Sequence, residues 1–270
     1  MTATVYIAAI TPRRFWTCLA LASVFWLAHT VPVAAQAPAP AAAPAGLTRL
    51  AEQYPVWLDA RNKRIVLAGE ICQTEGQMEM FACLKRTKEH EAVVAVDTQA
   101  YIVHAGLVAL GAEPGNPARF IPDYAPARGA EVAITLYWTD AKGQRQKASA
   151  QQWLKNTRTG KLMEQPWVFG GSGFWVDPTT QQRHYQAEEG DFICVSNFST
   201  AMLDVPVESS QSNAALLFEA NTAAIPPKGT RVTLALTPQL KGQPAARGDD
   251  PKVDLLPQPK AVEEEKREHS

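Results

Sequence analysis

Cysteine is scarce in this chain of 270 residues: four in all, at positions 18, 72, 83 and 194, with no C-x-x-C spacing. Too few sulfurs are present for a disulfide framework to take the place of a hydrophobic core. An excess of charge of one sign is also lacking. Twenty-six Lys and Arg stand against 27 Asp and Glu, a formal net charge of −1. Without a bulk positive field, nucleic acid is not an expected partner. Long hydrophobic runs are missing apart from Phe15 to Ala28, which is short for a membrane span, so a polytopic membrane protein is excluded. Nucleotide signatures are missing too: there is no dinucleotide loop, no P-loop and no HExxH pattern. What is present is a composition 46% apolar and 20% charged, which can build a core and is neither disordered nor collagen-like.

The two ends read differently from the middle. Arg13 and Arg14 precede the apolar run, and Val33-Ala34-Ala35 and Ala35-Gln36-Ala37 each fit a small-x-small cleavage pattern. Residues 1–37 are therefore expected to be a signal peptide that delivers the chain outside the cytoplasm, to the periplasm or beyond. A membrane association follows only if that leader stays uncleaved. The alanine- and proline-rich stretch that follows, 38–46, is expected to be a linker. At the far end, 241–270 is proline-rich and densely charged with little apolar content, and is expected to be disordered. The folded unit is then 47–240, the size of one domain.

Within that unit the apolar period is mostly two. Arg64 to Cys72 and Gln77 to Leu84 flank a turn-like Gln73-Thr74-Glu75-Gly76 and predict a hairpin. Glu131 to Thr139 alternates into Asp140-Ala141-Lys142-Gly143 and predicts another. Trp167 to Phe198 reads as a three-stranded meander, and Thr230 to Leu236 as a closing strand. One segment breaks the rule: 98–110, with Asp97 as N-cap and Gly111 at C′, reads as a helix apolar on nearly every face. A shorter helix is expected over Ser149 to Lys155. The expected class is α+β, a mainly antiparallel, twisted β-sheet packed on one long buried helix.

Several motifs carry a resemblance. Gly69-Glu70-Ile71, Met78-Glu79-Met80-Phe81-Ala82-Cys83, Lys88-Glu89-His90-Glu91-Ala92 and the run Val103 to Gly111 resemble the YdjY domain of exported bacterial proteins. Trp153-Leu154, Val168 to Phe174, Asn197-Phe198 and Ile225 to Thr230 continue the likeness, which covers about 56–238. The family is of undetermined function, so the resemblance implies an address and a domain type and no substrate. Some members are labelled ferredoxin-like. This sequence departs from that label, because an iron–sulfur cluster needs about four closely spaced cysteines.

The residues able to carry chemistry are few. Glu79, His90, Glu91 and His104, with Cys83 beside them in sequence, are the one set rich enough for a metal or acid–base site. His90-Glu91 opens like a zinc-protease helix but has Val94 where the second histidine belongs, so no metal is assigned. His104, inside the apolar helix, is expected to be a hydrogen-bonded core residue, with Glu79 or Glu91 as its partner if the strands pass the helix. Cys72 beside the first turn and Cys83 at the strand's far end are expected to be too distant to bridge, whereas a Cys83–Cys194 disulfide is geometrically open. Ser172 lies in Gly170-Gly171-Ser172-Gly173 outside a G-x-S-x-G frame and is expected to be part of a turn. Glu188, Glu189 and Asp191 lack calcium-loop spacing. No cofactor is expected. Two readings stand: a non-catalytic extracytoplasmic module that binds an envelope protein or a small ligand, or a hydrolase or metal-dependent enzyme around Glu79, His90, Glu91 and His104.

Overall fold

The structure, a computed structural model, describes residues 46–209 and 216–240. The expected leader, all but the last residue of the linker and the expected tail lie outside the described residues. In chain order the strands are β1 (Thr48–Arg49), β2 (Val56–Asp59), β3 (Arg64–Ile71), β4 (Met80–Leu84), β5 (Ala92–Val96), β6 (Glu131–Thr139), β7 (Arg145–Ser149), β8 (Leu154–Asn156), β9 (Trp167–Phe169), β10 (Phe174–Val176), β11 (Arg183–Tyr185), β12 (Ile193–Cys194), β13 (Leu203–Asp204), β14 (Phe218–Ala220) and β15 (Arg231–Pro238). Among the described residues there is one α-helix, α1 (Ala100–Ala109), and three single-turn 3-10 helices.

Eight of the strands close into a barrel. Around the ring run β3, β15, β6, β9, β13, β12, β4 and β5, and β5 returns to β3 through Gly69↔Val96, Glu70↔Ala95 and Ile71↔Val94. All neighbours are antiparallel except β4–β5 and β12–β13. Two edges are shared: β3 also takes β2 through Val56↔Leu67 to Asp59↔Arg64, and β6 also takes β7 beside β9. Closure depends on Gly69. A Cβ built there would meet Val94 Cγ1 at 2.8 Å and Leu234 Cδ1 at 2.9 Å, so only a residue without a side chain lets β5 and β15 flank β3 this tightly.

Side chains sort by the period of two. Ile65 and Leu67 of β3, Val132, Ile134 and Leu136 of β6, and Val232, Leu234 and Leu236 of β15 join one core. Val66, Ala68, Tyr137 and Ala235 point the other way into a small outer cluster with Trp57. Large rings fill the interior. Phe81 lies 5.5 Å from Trp167 and 6.3 Å from Trp153, pairs worth about 1 kcal/mol each beyond the area they bury. The indole N–H of Trp167 donates to the Cys194 carbonyl at 2.8 Å.

The expected sheet on a long buried helix is overturned. Helix α1 is ten residues long, and it contributes Ala100, Ile102, Val103 and Leu107 to the barrel's own core. Gly106 lets its backbone close on β3, where a Cβ would stand 2.7 Å from Ile65 Cδ1. Its end is as expected: Gly111 at C′ has φ of 96° and donates to Val108, and Ala112 donates to Leu107. Its start is not, because Gln99 is the N-cap and makes no side-chain cap bond. The β6–β7 hairpin forms, with Asp140 Oδ1 accepting the Lys142 and Gln144 N–H groups. The hairpin expected from 64–72 and 77–84 does not, because β5 lies between β3 and β4. The expected meander reduces to the β10–β11 hairpin, and β9 and β12 join the barrel instead. The short helix expected near Trp153 is a 3-10 turn, Ala150–Trp153, with a capping box from Ser149 and Gln152. No helix among the described residues is long and apolar enough to cross a membrane.

Candidate functional site

Three of the four sequence-nominated residues gather near the start of β4. Glu79 precedes that strand; its N–H donates to Glu91 O, and its carbonyl takes the Val195 and Ser196 N–H groups at 2.9 and 3.0 Å. Glu91 ends a 3-10 turn, Glu89–Glu91, that leads directly into β5. His90 projects outward with 76% of its side chain exposed, and its Nε2 is 3.8 Å from Glu91 Oε2. At the middle of the group is a residue the sequence reading did not nominate, Lys88. Its ammonium lies 2.8 Å from Asp191 Oδ1, 4.0 Å from Glu91 Oε1 and 4.7 Å from the centre of the Phe198 ring. Thr200 Oγ1 donates to the other Asp191 oxygen.

The electrostatics follow from this crowding. Burial pushes the Glu79 carboxyl above the ordinary glutamate range, and the Glu91 charge and a hydrogen bond between the two acids add to the effect, against the opposing pull of Lys88. Burial works against the Lys88 ammonium, but its bond to Asp191 and the nearby acids outweigh that and raise it. The group is a lysine held by its counter-ions. Among the described residues no three His, Cys, Asp or Glu side chains are placed to hold a metal ion.

His104 makes none of its contacts with these acids. Its Nδ1 is 2.8 Å from the Tyr185 hydroxyl, and that hydroxyl donates to Gly171 O at 2.9 Å. With the phenolic proton spent on the carbonyl, Nδ1–H is the donor to the tyrosine oxygen. The ring packs edge-on against Phe169 and Tyr185, and burial lowers its pKa despite the opposing Gly171 carbonyl. His104 is hydrogen-bonded but half-buried, where a core residue was expected, and its partner is Tyr185 in place of Glu79 or Glu91. Glu188 accepts the Tyr101 N–H at 2.9 Å and so caps the first turn of α1. Ser172, at φ of 54°, commits its hydroxyl proton to Thr200 O at 2.6 Å.

All three described cysteines are free thiols. Cys83 and Cys194 are buried in one small cluster with Met80, Ala92, Ala95 and Ala201, and Cys72 packs at its edge with its S–H on Ala92 O at 3.0 Å. Because β5 replaces the expected turn geometry, Cys72 and Cys83 flank the same strand and interact. The hydrogen bond between them lowers the Cys72 thiol and raises that of Cys83.

Sequence reasoning passed over the segment between α1 and β6. Asn116 pairs with Arg128 and Arg119 with Ala125, which makes an irregular ribbon whose tip holds a cis Ile121–Pro122 peptide. The Tyr124 hydroxyl fastens this ribbon to Asn197 at 2.9 Å. An open groove of about 770 Å³ lies beside it, with Pro117, Arg119, Phe120, Ile121, Arg128 and Ser199 among its walls. Arg119 and Arg128 are exposed, and neither makes an ion pair among the described residues. The sequence signal was a pair of bulky apolar residues directly after an arginine in a proline-rich loop.

The family model described as the YdjY domain matches residues 56–237. No curated protein and no solved structure matches the chain.

Proposed function

The chain belongs to the YdjY domain family, and on that footing we propose that it is a non-catalytic binding module of the cell envelope. Its ligand is an anionic molecule with an apolar body, held in the groove beside the Asn116–Arg128 ribbon. One observation carries this reading. Two exposed arginines that make no ion pair among the described residues share a groove wall with Phe120 and Ile121, so one surface offers both charge-assisted donors and apolar contact. The expected leader supports the location.

The enzyme alternative draws on the raised Glu79 carboxyl beside Glu91. It is weakened because His104 is committed to Tyr185, and because Asp191 and Glu91 already serve as counter-ions to Lys88. Calorimetric titration of the full chain with decyl phosphate below its micelle concentration separates the readings. Saturable binding is expected. An R119A/R128A double variant should weaken it by about 100-fold, since a charge-assisted hydrogen bond contributes about 1.5 kcal/mol per arginine. Affinity unchanged in the double variant but lost on Lys88→Met would overturn the assignment of the groove.

A further inference from the structure

Resting on that reading, we infer that the amphiphile is a lipid bilayer: the tip Arg119–Pro122 docks the protein on an anionic membrane surface. Ile121 is 83% exposed and its neighbour Phe120 42%, which puts two large apolar side chains in water at the turn of a narrow ribbon. A groove ligand in free solution needs apolar walls. It does not need an isoleucine held almost wholly outside them. An interface does: the apolar tip enters the boundary between headgroups and acyl chains while flanking cations stay with the phosphates. Arg119 and Arg128 supply those cations, and Asp123 is the one acid in the ribbon.

A second protrusion is rooted in the same segment. A Cβ on Gly170 would stand 3.1 Å from Pro117 Cα and one on Gly171 2.8 Å from Pro114 Cβ, so the base of the ribbon lies close over the strand end from which β10 departs. On the β10–β11 hairpin, Phe174, Trp175 and Val176 are all exposed, Trp175 by 50%. Arg183 stacks on Phe174 at 4.4 Å, and His184 faces Trp175 at 5.3 Å. An exposed tryptophan next to an arginine-stacked phenylalanine is the composition of a headgroup-level anchor. Attraction of juxtamembrane arginines to anionic lipid amounts to about fivefold in affinity each.

Vesicle flotation of the full chain tests this, with phosphatidylglycerol-containing vesicles compared with pure phosphatidylcholine. Hydrogen exchange of residues 117–126 locates the contact independently of any affinity the leader has for lipid. Expected are preferential binding to the anionic vesicles, slowed exchange in that segment, and affinity lowered about tenfold or more by Ile121→Asp and by R119A/R128A. Equal flotation of wild type and Ile121→Asp, or unchanged exchange at 117–126, would overturn the inference. If decyl phosphate binds the groove but vesicles leave this segment untouched, the membrane inference fails and the ligand reading stands. If neither binds, both fail.

Discussion

Asp204 gives the sharpest quantitative expectation. Its side chain is fully buried on β13; Oδ1 takes the Val205 N–H at 2.7 Å and an Asn197 N–H at 3.2 Å, and Oδ2 has no hydrogen-bond partner among the described residues. Burial outweighs those bonds and pushes its pKa from 3.8 up to about 7, with the charge of Asp191 adding to the rise. A carboxyl whose folded value exceeds its unfolded value takes up a proton on folding. Its contribution is fully present below about pH 4 and is lost as pH climbs through 7. Three units at 1.36 kcal/mol each set the scale, about 4 kcal/mol between the two limits. Asp204→Asn is neutral throughout and removes that slope. Urea unfolding at pH 4.5, 6, 7 and 8 should show the wild type losing stability relative to the variant as pH rises, most steeply between about 4.5 and 6.5 and levelling off above 7. Groups remote from β13 cancel in the comparison, so the difference reports Asp204 together with its coupling to Asp191. Parallel profiles, with a gap constant to within about 0.5 kcal/mol, would refute the reasoning.

Other expectations concern the seam, the lysine and the histidine. Gly69→Val places methyl groups where Val94 and Leu234 already stand and should destabilise by about 2–3 kcal/mol in urea unfolding. Tolerance of it would contradict the tight closure at β3. Lys88→Met leaves Asp191 and Glu91 without their cation. After allowance for its partial exposure, the loss should be about 1 kcal/mol, with Glu79 titrating still higher by carboxyl-resolved NMR. Tyr185→Phe removes the donor to Gly171 and the acceptor of His104, and should cost about 1–2 kcal/mol in thermal unfolding. In the wild type, NMR titration of His104 should show a midpoint below that of an ordinary histidine; a midpoint above it would place an acid beside the ring.

Local structure was legible in the sequence where its causes are local. The β6–β7 turn declares itself through Asp140 and Gly143, and the end of α1 through Gly111, because each residue there satisfies a neighbouring backbone group. Closure was not legible. It rests on β3 meeting β5, on β4 lying parallel to β5, and on β12 lying parallel to β13, pairings that no periodicity encodes. Met80–Leu84 and Ala92–Val96 are buried at every position. Their continuous apolar character fits either a helix-covered sheet or a barrel wall covered on its outside by Ala201 and Phe198. The long-helix expectation failed because apolar residues on every face of 98–110 were read as a central rod, whereas the ten-residue helix buries Ala100, Ile102, Val103, Gly106 and Leu107 against the barrel and leaves Tyr101 and Val108 exposed. In the candidate site, Glu79, His90, Glu91 and His104 were nominated for residue type alone; the parallel β4–β5 pairing brings the first three near one another and leaves His104 with Tyr185. Lys88 was missed because a lysine is ordinarily solvated, and the arginine groove because its residues become neighbours only when the 116–128 ribbon folds back on itself.

The groove assignment is tested most directly by a crystal structure of the full chain grown with decyl phosphate. The phosphate is predicted to lie against Arg119 and Arg128 with the alkyl chain along Phe120. A phosphate seated at Lys88 instead, or a groove left empty while calorimetry registers binding, would contradict it.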